Sequence, residues 1–195
     1  MLVLASASPR RQELLRNAGI PFVVHPTEIP EIPNPSEDPH AFAERMAKEK
    51  AQSVLRQRPT DVILGADTVV LVDNQILGKP VDSTDATRML RLLSGRTHTV
   101  ITGVCLLRTG NRALTTDLCD SRSESTVVIM DALTDYQIAR YVATAEPMDK
   151  AGAYAIQGSA SRWISRIEGD YFNVVGLPIS LVFKMLRQHG IPTGE

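Results

Sequence analysis

The first 19 residues, MLVLASASPRRQELLRNAG, constrain the fold of this chain more than any other stretch. An apolar run, Leu2-Val3-Leu4-Ala5, stops at the small polar segment Ser6-Ala7-Ser8, and Pro9-Arg10-Arg11 opens an amphipathic helix. Ser8 suits the N-cap, Pro9 the first helical position, and Gly19 the C-terminal stop. A strand end followed by a helix N-terminus is where α/β proteins bind anions, and arginines at that turn match phosphate geometry. The turn therefore points to a phosphorylated ligand, against the ordinary reading of a capped turn with two solvated arginines.

The formal net charge is −1, so there is no large basic face for nucleic acid or an anionic membrane, and any phosphate site is local. The 195 residues suit one domain spanning 1–195. Cys105 and Cys119 lie 14 positions apart with no metal-ligand spacing and no disulfide framework, which fits a reducing cytoplasm. MLVLASASPRR has the wrong polarity order for a secretion signal, and no apolar run approaches the roughly 20 residues needed to span a bilayer. A cytoplasmic location is the expectation.

Further along, residues 20–24 read as a short strand. Residues 26–39 carry five prolines and fit neither a helix interior nor a central strand. Asp38 caps a helix over about 39–57, with an apolar stripe of Phe42, Met46, Ala47, Ala51, Val54 and Leu55. Lys48 and Lys50 are placed off that stripe or at its margin. The segment 61–72 reads as a buried strand, a Gly65-Ala66-Asp67-Thr68 interruption, and a second extended run. A turn at Asp73-Asn74, a short extended piece to Pro80 and a helix over 83–93 follow. Strand patterns over 97–107 and 113–130, joined at Thr109-Gly110-Asn111, imply antiparallel pairing. Thr134 and Gln137 form a capping-box pattern, extended pieces are expected near 153–157 and 162–167, and a last helix ends at Gly190. The fold class is α/β, with a mixed, elongated β-sheet flanked by helices.

Common catalytic signatures for P-loop, dinucleotide, zinc-protease and serine-hydrolase chemistry are absent. His25, His40, His98 and His189 are scattered without ligand spacing and read as surface or structural residues. What remains is acids and lysines at element ends. Asp67 sits in an apolar segment beside Gly65-Ala66, where small residues admit a ligand to the backbone. A carboxylate there needs a partner, and it could hold Mg²⁺ or orient an attacking water. Lys79 and Lys150 occupy small-residue turns.

These residues carry a resemblance that runs nearly end to end. Its motifs are LASASPRR (4–11), AKEKA (47–51), GADTVV (65–70), GKP (78–80), LSGRTHTVITGV (93–104), DKAGAYAIQG (149–158) and NVVGLP (173–178). The chain resembles the Maf family of nucleoside triphosphate pyrophosphatases, whose fold is of the Maf/inosine-triphosphatase kind. The resemblance implies a homodimeric enzyme dependent on a divalent cation (Mg²⁺, Mn²⁺ or Co²⁺). Such enzymes convert a nucleoside triphosphate to the monophosphate and pyrophosphate, and the family's name carries a link to cell division and septum arrest.

By the same resemblance, Asp67 is the proton acceptor, and Glu31 is an acidic position near the metal and water. Asp67 and Glu31 hold the metal, Lys50 and Lys79 lie at the phosphates, and Ser8 and Arg11 belong to the phosphate turn. Arg10, Thr68 and Gln157 match the branch acting on dTTP and UTP, where the 7-methyl-GTP branch tends to carry Trp, Gln and Glu. A Gln amide suits the donor–acceptor edge of a pyrimidine-dione. Two departures stand out: Ala155 replaces a usual glycine, and Thr27-Glu28-Ile29-Pro30-Glu31 lacks the usual aspartate, so that Glu28 and Glu31 both stand near the acidic position. A non-catalytic nucleotide-binding regulator and a broad noncanonical triphosphate pyrophosphatase are the alternative readings.

Overall fold

The computed structural model describes residues 1–109 and 116–194. Among them a seven-stranded sheet runs in the order β2-β1-β3-β5-β6-β7, with β4 paired to β3. The strands are β1 (Leu2–Leu4), β2 (Val23–Val24), β3 (Val62–Val72), β4 (Gln75–Leu77), β5 (Thr97–Thr109), β6 (Thr116–Met130) and β7 (Ile164–Glu168). The helices are α1 (Pro9–Asn17), α2 (Pro39–Leu55), α3 (Ser83–Leu93), α4 (Asp135–Val142), α5 (Tyr171–Val175) and α6 (Ile179–Gln188). β1 pairs in parallel with β2 and β3, whereas β3–β4 and β6–β7 are antiparallel, so the sheet is mixed as expected.

The chain divides into two compact units. The first draws on the described parts of Met1–Asp67, Thr102–Glu124 and Gly176–Glu195, the second on Thr68–Ile101 and Ser125–Val175. In the first, Val3, Ala5, Ala47, Ala51, Val54, Ile63, Cys105 and Leu107 form a buried cluster between strands and α2. In the second, Val70, Leu90, Leu93, Met130, Ile138, Tyr141 and Trp163 belong to a separate buried cluster.

Local chemistry sets most boundaries. Ser8 caps α1 by accepting from the Arg11 N–H at 3.5 Å, and Pro9 opens the helix. Asp38 caps α2 through the N–H groups of His40 and Ala41. Asp73 and Asn74 both adopt positive φ, which matches the right-handed twist of the β3–β4 hairpin. The Thr134–Gln137 capping box forms in both directions.

Four expectations need correction. β3 is a single strand with no interruption at Gly65–Thr68, so Asp67 stands mid-strand rather than at a turn. Residues 153–157 form no strand, because Gly152 and Ala153 turn the chain with positive φ. Strand pairing near residue 20 is confined to Val23 and Val24. Lys50 is only 7% exposed and belongs to the buried face of α2, one turn from both Met46 and Val54. The junction expected at Thr109-Gly110-Asn111 extends outside the described residues. Among the described residues no helix is long and apolar enough to cross a membrane.

Candidate active site

Two glycines allow α2 to lie against the strands of the first unit at backbone distance. A Cβ at Gly65 on β3 would stand 2.0 Å from the Ala47 carbonyl oxygen, and one at Gly103 on β5 would stand 2.3 Å from the backbone of Ala43. Ala43 and Ala47 are one helical turn apart, so small residues on both partners seat one face of α2. Gly65 and Asp67 point to the same side of β3, and Ala47 and Lys50 share a face of α2. The close approach therefore brings Lys50 onto Asp67: Nζ donates to Oδ1 at 2.5 Å, with both side chains under a tenth exposed. The small residues beside Asp67 serve this helix contact, where the sequence had suggested room for a ligand.

Lys50 Nζ also donates to Glu31 Oε1 at 2.5 Å. Glu31 comes from the proline-rich loop, and α2 fixes that loop at three points. Arg45 binds Glu37 through Nε and Nη2, each at 2.7 Å, and donates to the Ile32 carbonyl at 3.0 Å. Thr27 and Ser53 share a hydroxyl hydrogen bond of 2.5 Å. The fork from Arg45 holds the Glu37 carboxyl down to about 2. Glu28 is exposed, and Glu31 is the acid that reaches Lys50. Arg45 carried no signal in the sequence beyond its place on a helix, yet it anchors the loop that delivers Glu31.

The turn after β1 reaches the same neighbourhood within this unit. Arg11 donates from Nε to the Gly176 carbonyl at 2.8 Å and from Nη1 to the Ala66 carbonyl at 2.9 Å and Ser6 Oγ at 3.2 Å. Burial lowers the Arg11 pKa from its ordinary value, and Asp67 and Glu31 oppose that shift. Arg11 is thus fastened beside the residue preceding Asp67, while Ser8 and Arg10 lie half-buried at the start of α1.

The carboxyl of Asp67 has a raised pKa. Loss of water contact is the largest cause, and the nearby Glu31 adds to it, while Lys50 and Arg11 act in the opposite direction. A carboxylate shifted upward is a stronger base toward a bound water. Among the described residues no three His, Cys, Asp or Glu side chains gather as a metal cage. The pair Glu31 and Asp67 nevertheless fits a hard divalent cation, since Mg²⁺ commonly takes one or two carboxylates and completes its shell with water and phosphate oxygens. The Lys50 ammonium bridging both acids shows that they are placed to share a positive charge.

The remaining sequence candidates belong to the second unit. Thr68 is half-buried on β3, Lys79 is exposed just after β4, and Gln157 is exposed on the turn before Ser159. The Gly152 N–H donates to the Gly78 carbonyl at 3.0 Å, which ties the Gly-Lys-Pro segment to the Asp-Lys-Ala-Gly segment. Lys150 closes its own turn through the Glu146 carbonyl at 2.6 Å and Asp149 at 2.5 Å. His98 is buried against Tyr154, which fits a structural role.

Comparison with known proteins places these residues in a family. The profile described as Maf-like protein matches residues 1–189. A Koribacter versatilis protein named dTTP/UTP pyrophosphatase is 51% identical over 97% of this chain and 95% of its own length. Proteins of the same name from Symbiobacterium thermophilum and Geobacter sulfurreducens are 51% and 49% identical, covering 98% and 97% of this chain and 95% and 96% of their own. The solved Staphylococcus aureus Ham1 protein aligns over 96% of this chain and 98% of its own at 12% identity, with a TM-score of 0.48. By the extent of the profile match and by half-identity to three full-length relatives, the chain belongs to the Maf-like protein family.

Proposed function

We propose that this chain is a nucleoside triphosphate pyrophosphatase that converts dTTP and UTP to the monophosphate and pyrophosphate. The observation that carries the reading is the buried Lys50 bridge between Asp67 and Glu31, with Arg11 fastened alongside. The names of the half-identical relatives support the substrate pair.

The chemistry follows from the charges. Asp67 accepts a proton from water as the water oxygen bonds to the α-phosphorus. The bond from that phosphorus to the oxygen bridging the α and β phosphates breaks, and its electrons leave with pyrophosphate. The upward shift of Asp67 places its basicity nearer to working pH. Lys50 holds the two carboxylates in register, and Arg11 and Ser8 present donors for phosphate oxygens at the head of α1. A divalent cation held by Glu31 and Asp67 would supply neutralisation of the triphosphate charge.

Lys79 adds positive charge for the phosphates in this reading, and Arg10, Thr68 and Gln157 set the preference for a base. Uracil and thymine present an N–H between two carbonyls, an edge that a primary amide can pair with. Cytoplasmic location, supported by two free cysteines, and a homodimeric state complete the proposal.

The deciding experiment incubates the purified chain with dTTP, UTP, CTP, GTP and 7-methyl-GTP in Mg²⁺, Mn²⁺ or Co²⁺ and identifies both products. Monophosphate plus pyrophosphate, fastest from dTTP and UTP, is the expected result. Diphosphate plus phosphate, or no turnover, overturns it.

A further inference from the structure

Asp67 Oδ1 and Glu31 Oε1 converge on one place in the first unit, and Lys50 Nζ fills it, 2.5 Å from each oxygen. Mg²⁺ takes carboxylate oxygens at about 2.0–2.1 Å, so a cation shared by those two oxygens competes with the ammonium for the same space. Burial narrows the choice further. The Asp67 side chain is only 4% exposed, whereas Glu31, at 28%, leaves its side of the pair open to solvent.

Of the three side chains, the lysine is the one most able to leave. Asp67 stands mid-strand on β3. The loop that carries Glu31 is pinned on either side, by Thr27 to Ser53 and by Glu37 to Arg45. The Lys50 backbone is fixed within α2, and its carbonyl accepts from the Ser53 hydroxyl at 2.8 Å. Its ammonium, by contrast, rides on a flexible four-carbon stem.

Charge argues the same way. The two negative carboxylates are already balanced by two positive groups, Lys50 and the Arg11 guanidinium held on the Ala66 carbonyl beside Asp67. A divalent cation added to that balanced group would bring uncompensated charge into a site nearly without solvent, which is unfavourable. A triphosphate supplies the missing negative charge and gives the displaced ammonium a new partner.

We infer that Lys50 holds the place of the divalent cation in the ligand-free protein and yields both carboxylates to it only when a triphosphate arrives; the inference rests on the pyrophosphatase reading above. The lysine then acts as a gate that keeps the cation site closed to metal alone.

The test follows binding of Mn²⁺ alone, without nucleotide, by the electron paramagnetic resonance signal of the free ion. It compares wild type, Lys50→Met, Lys50→Gln and the double variant Lys50→Gln with Asp67→Asn, with Tm recorded for each. Kd is expected to fall by at least about ten-fold in both neutral variants, because a like charge has left the site. Mn²⁺ should raise their Tm more than it raises that of the wild type, and the double variant should lose the gain. Lys50→Gln keeps a polar group against both acids, so it decides the matter if Lys50→Met does not fold. Equal or weaker affinity in the neutral variants means that Lys50 assembles the cation site rather than occupying it, and overturns the inference. A gain that survives Asp67→Asn places the cation elsewhere and overturns it as well. In either case pyrophosphate release from UTP by the wild type, assayed alongside, leaves the parent reading standing; a wild type that releases none overturns the parent reading and this one with it.

Discussion

Gly65 on β3 faces the carbonyl of Ala47 on α2 so closely that a single methyl group would collide with it at 2.0 Å. Three residues after Ala47 comes Lys50, and two residues after Gly65 comes Asp67. The periodicities of a helix and a strand therefore convert one backbone contact into the ion pair at the centre of the site. Lys50 is long enough to reach Asp67 only because nothing at position 65 holds the helix away.

Replacing that glycine tests the arrangement directly. Gly65→Ala should destabilise the protein by about 3 kcal/mol, the upper range for overpacking against an element that cannot yield. Turnover of UTP should fall further than stability accounts for, because α2 must move away from β3 and take Lys50 with it. Chemical denaturation paired with steady-state kinetics reads both effects. A variant of wild-type stability would mean that α2 can shift at no cost.

Asp67→Asn should retain the fold and nucleotide affinity while losing roughly 10²–10⁴-fold in kcat, the usual contribution of a general base. The amide preserves the shape and can still accept from Lys50. Equilibrium binding of a nonhydrolysable dTTP analogue, measured beside kcat, separates affinity from chemistry. Wild-type turnover in this variant would remove Asp67 from the role of base.

Lys50→Met leaves two carboxylates facing each other in a site where Asp67 is almost without solvent. Removing one partner of a buried ion pair costs about 3 kcal/mol or more, since the remaining charge is uncompensated. Adding Asp67→Asn to Lys50→Met should restore more than about 1 kcal/mol of that loss. Additive effects in urea unfolding would argue that the pair contributes nothing jointly.

The elements whose signals are local were legible in the chain. Ser8-Pro9, Asp38-Pro39, Asp73-Asn74 and Thr134 with Gln137 each announce a cap or turn through their own side chains and backbone preferences, and each forms where expected. Gly65 misled because a glycine in a strand reads as a break, while its actual reason lies in Ala47, eighteen positions earlier. Lys50 misled for a related cause: a lysine on a helix reads as solvated until its carboxylate partners are known, and those lie at positions 31 and 67. Arg45 acts only through contacts that folding creates, so no spacing in the sequence marks it. α5 is five residues long, too short for periodicity to register.

Arg11→Lys should cost about 1–3 kcal/mol, because the carbonyls of Gly176 and Ala66 lose donors that a single ammonium cannot replace together. KM for UTP should rise at the same time, since the same side chain sits at the turn proposed to bind the phosphates. A surface arginine would tolerate the change with neither effect. Unaltered Tm and unaltered KM would reduce Ser8-Pro9-Arg10-Arg11 to ordinary helix capping.

His98 gives the fold a pH dependence apart from the chemistry. It is 2% exposed, its Nε2 lies 2.7 Å from the Tyr154 hydroxyl, and burial pushes its pKa from 6.5 down to about 4. Between those two values the unfolded chain binds a proton at His98 that the native chain does not. Stability from this group is therefore complete above pH 6.5 and is lost progressively as pH falls toward 4. From about pH 7 to pH 5.5 the loss amounts to about 1 kcal/mol, at a pH where most carboxylates are still ionised. Urea unfolding of the wild type should show that decrement, and His98→Gln should lack it whatever its stability at neutral pH. If both proteins lose the same stability over that interval, His98 is protonated in the native state and the burial argument fails.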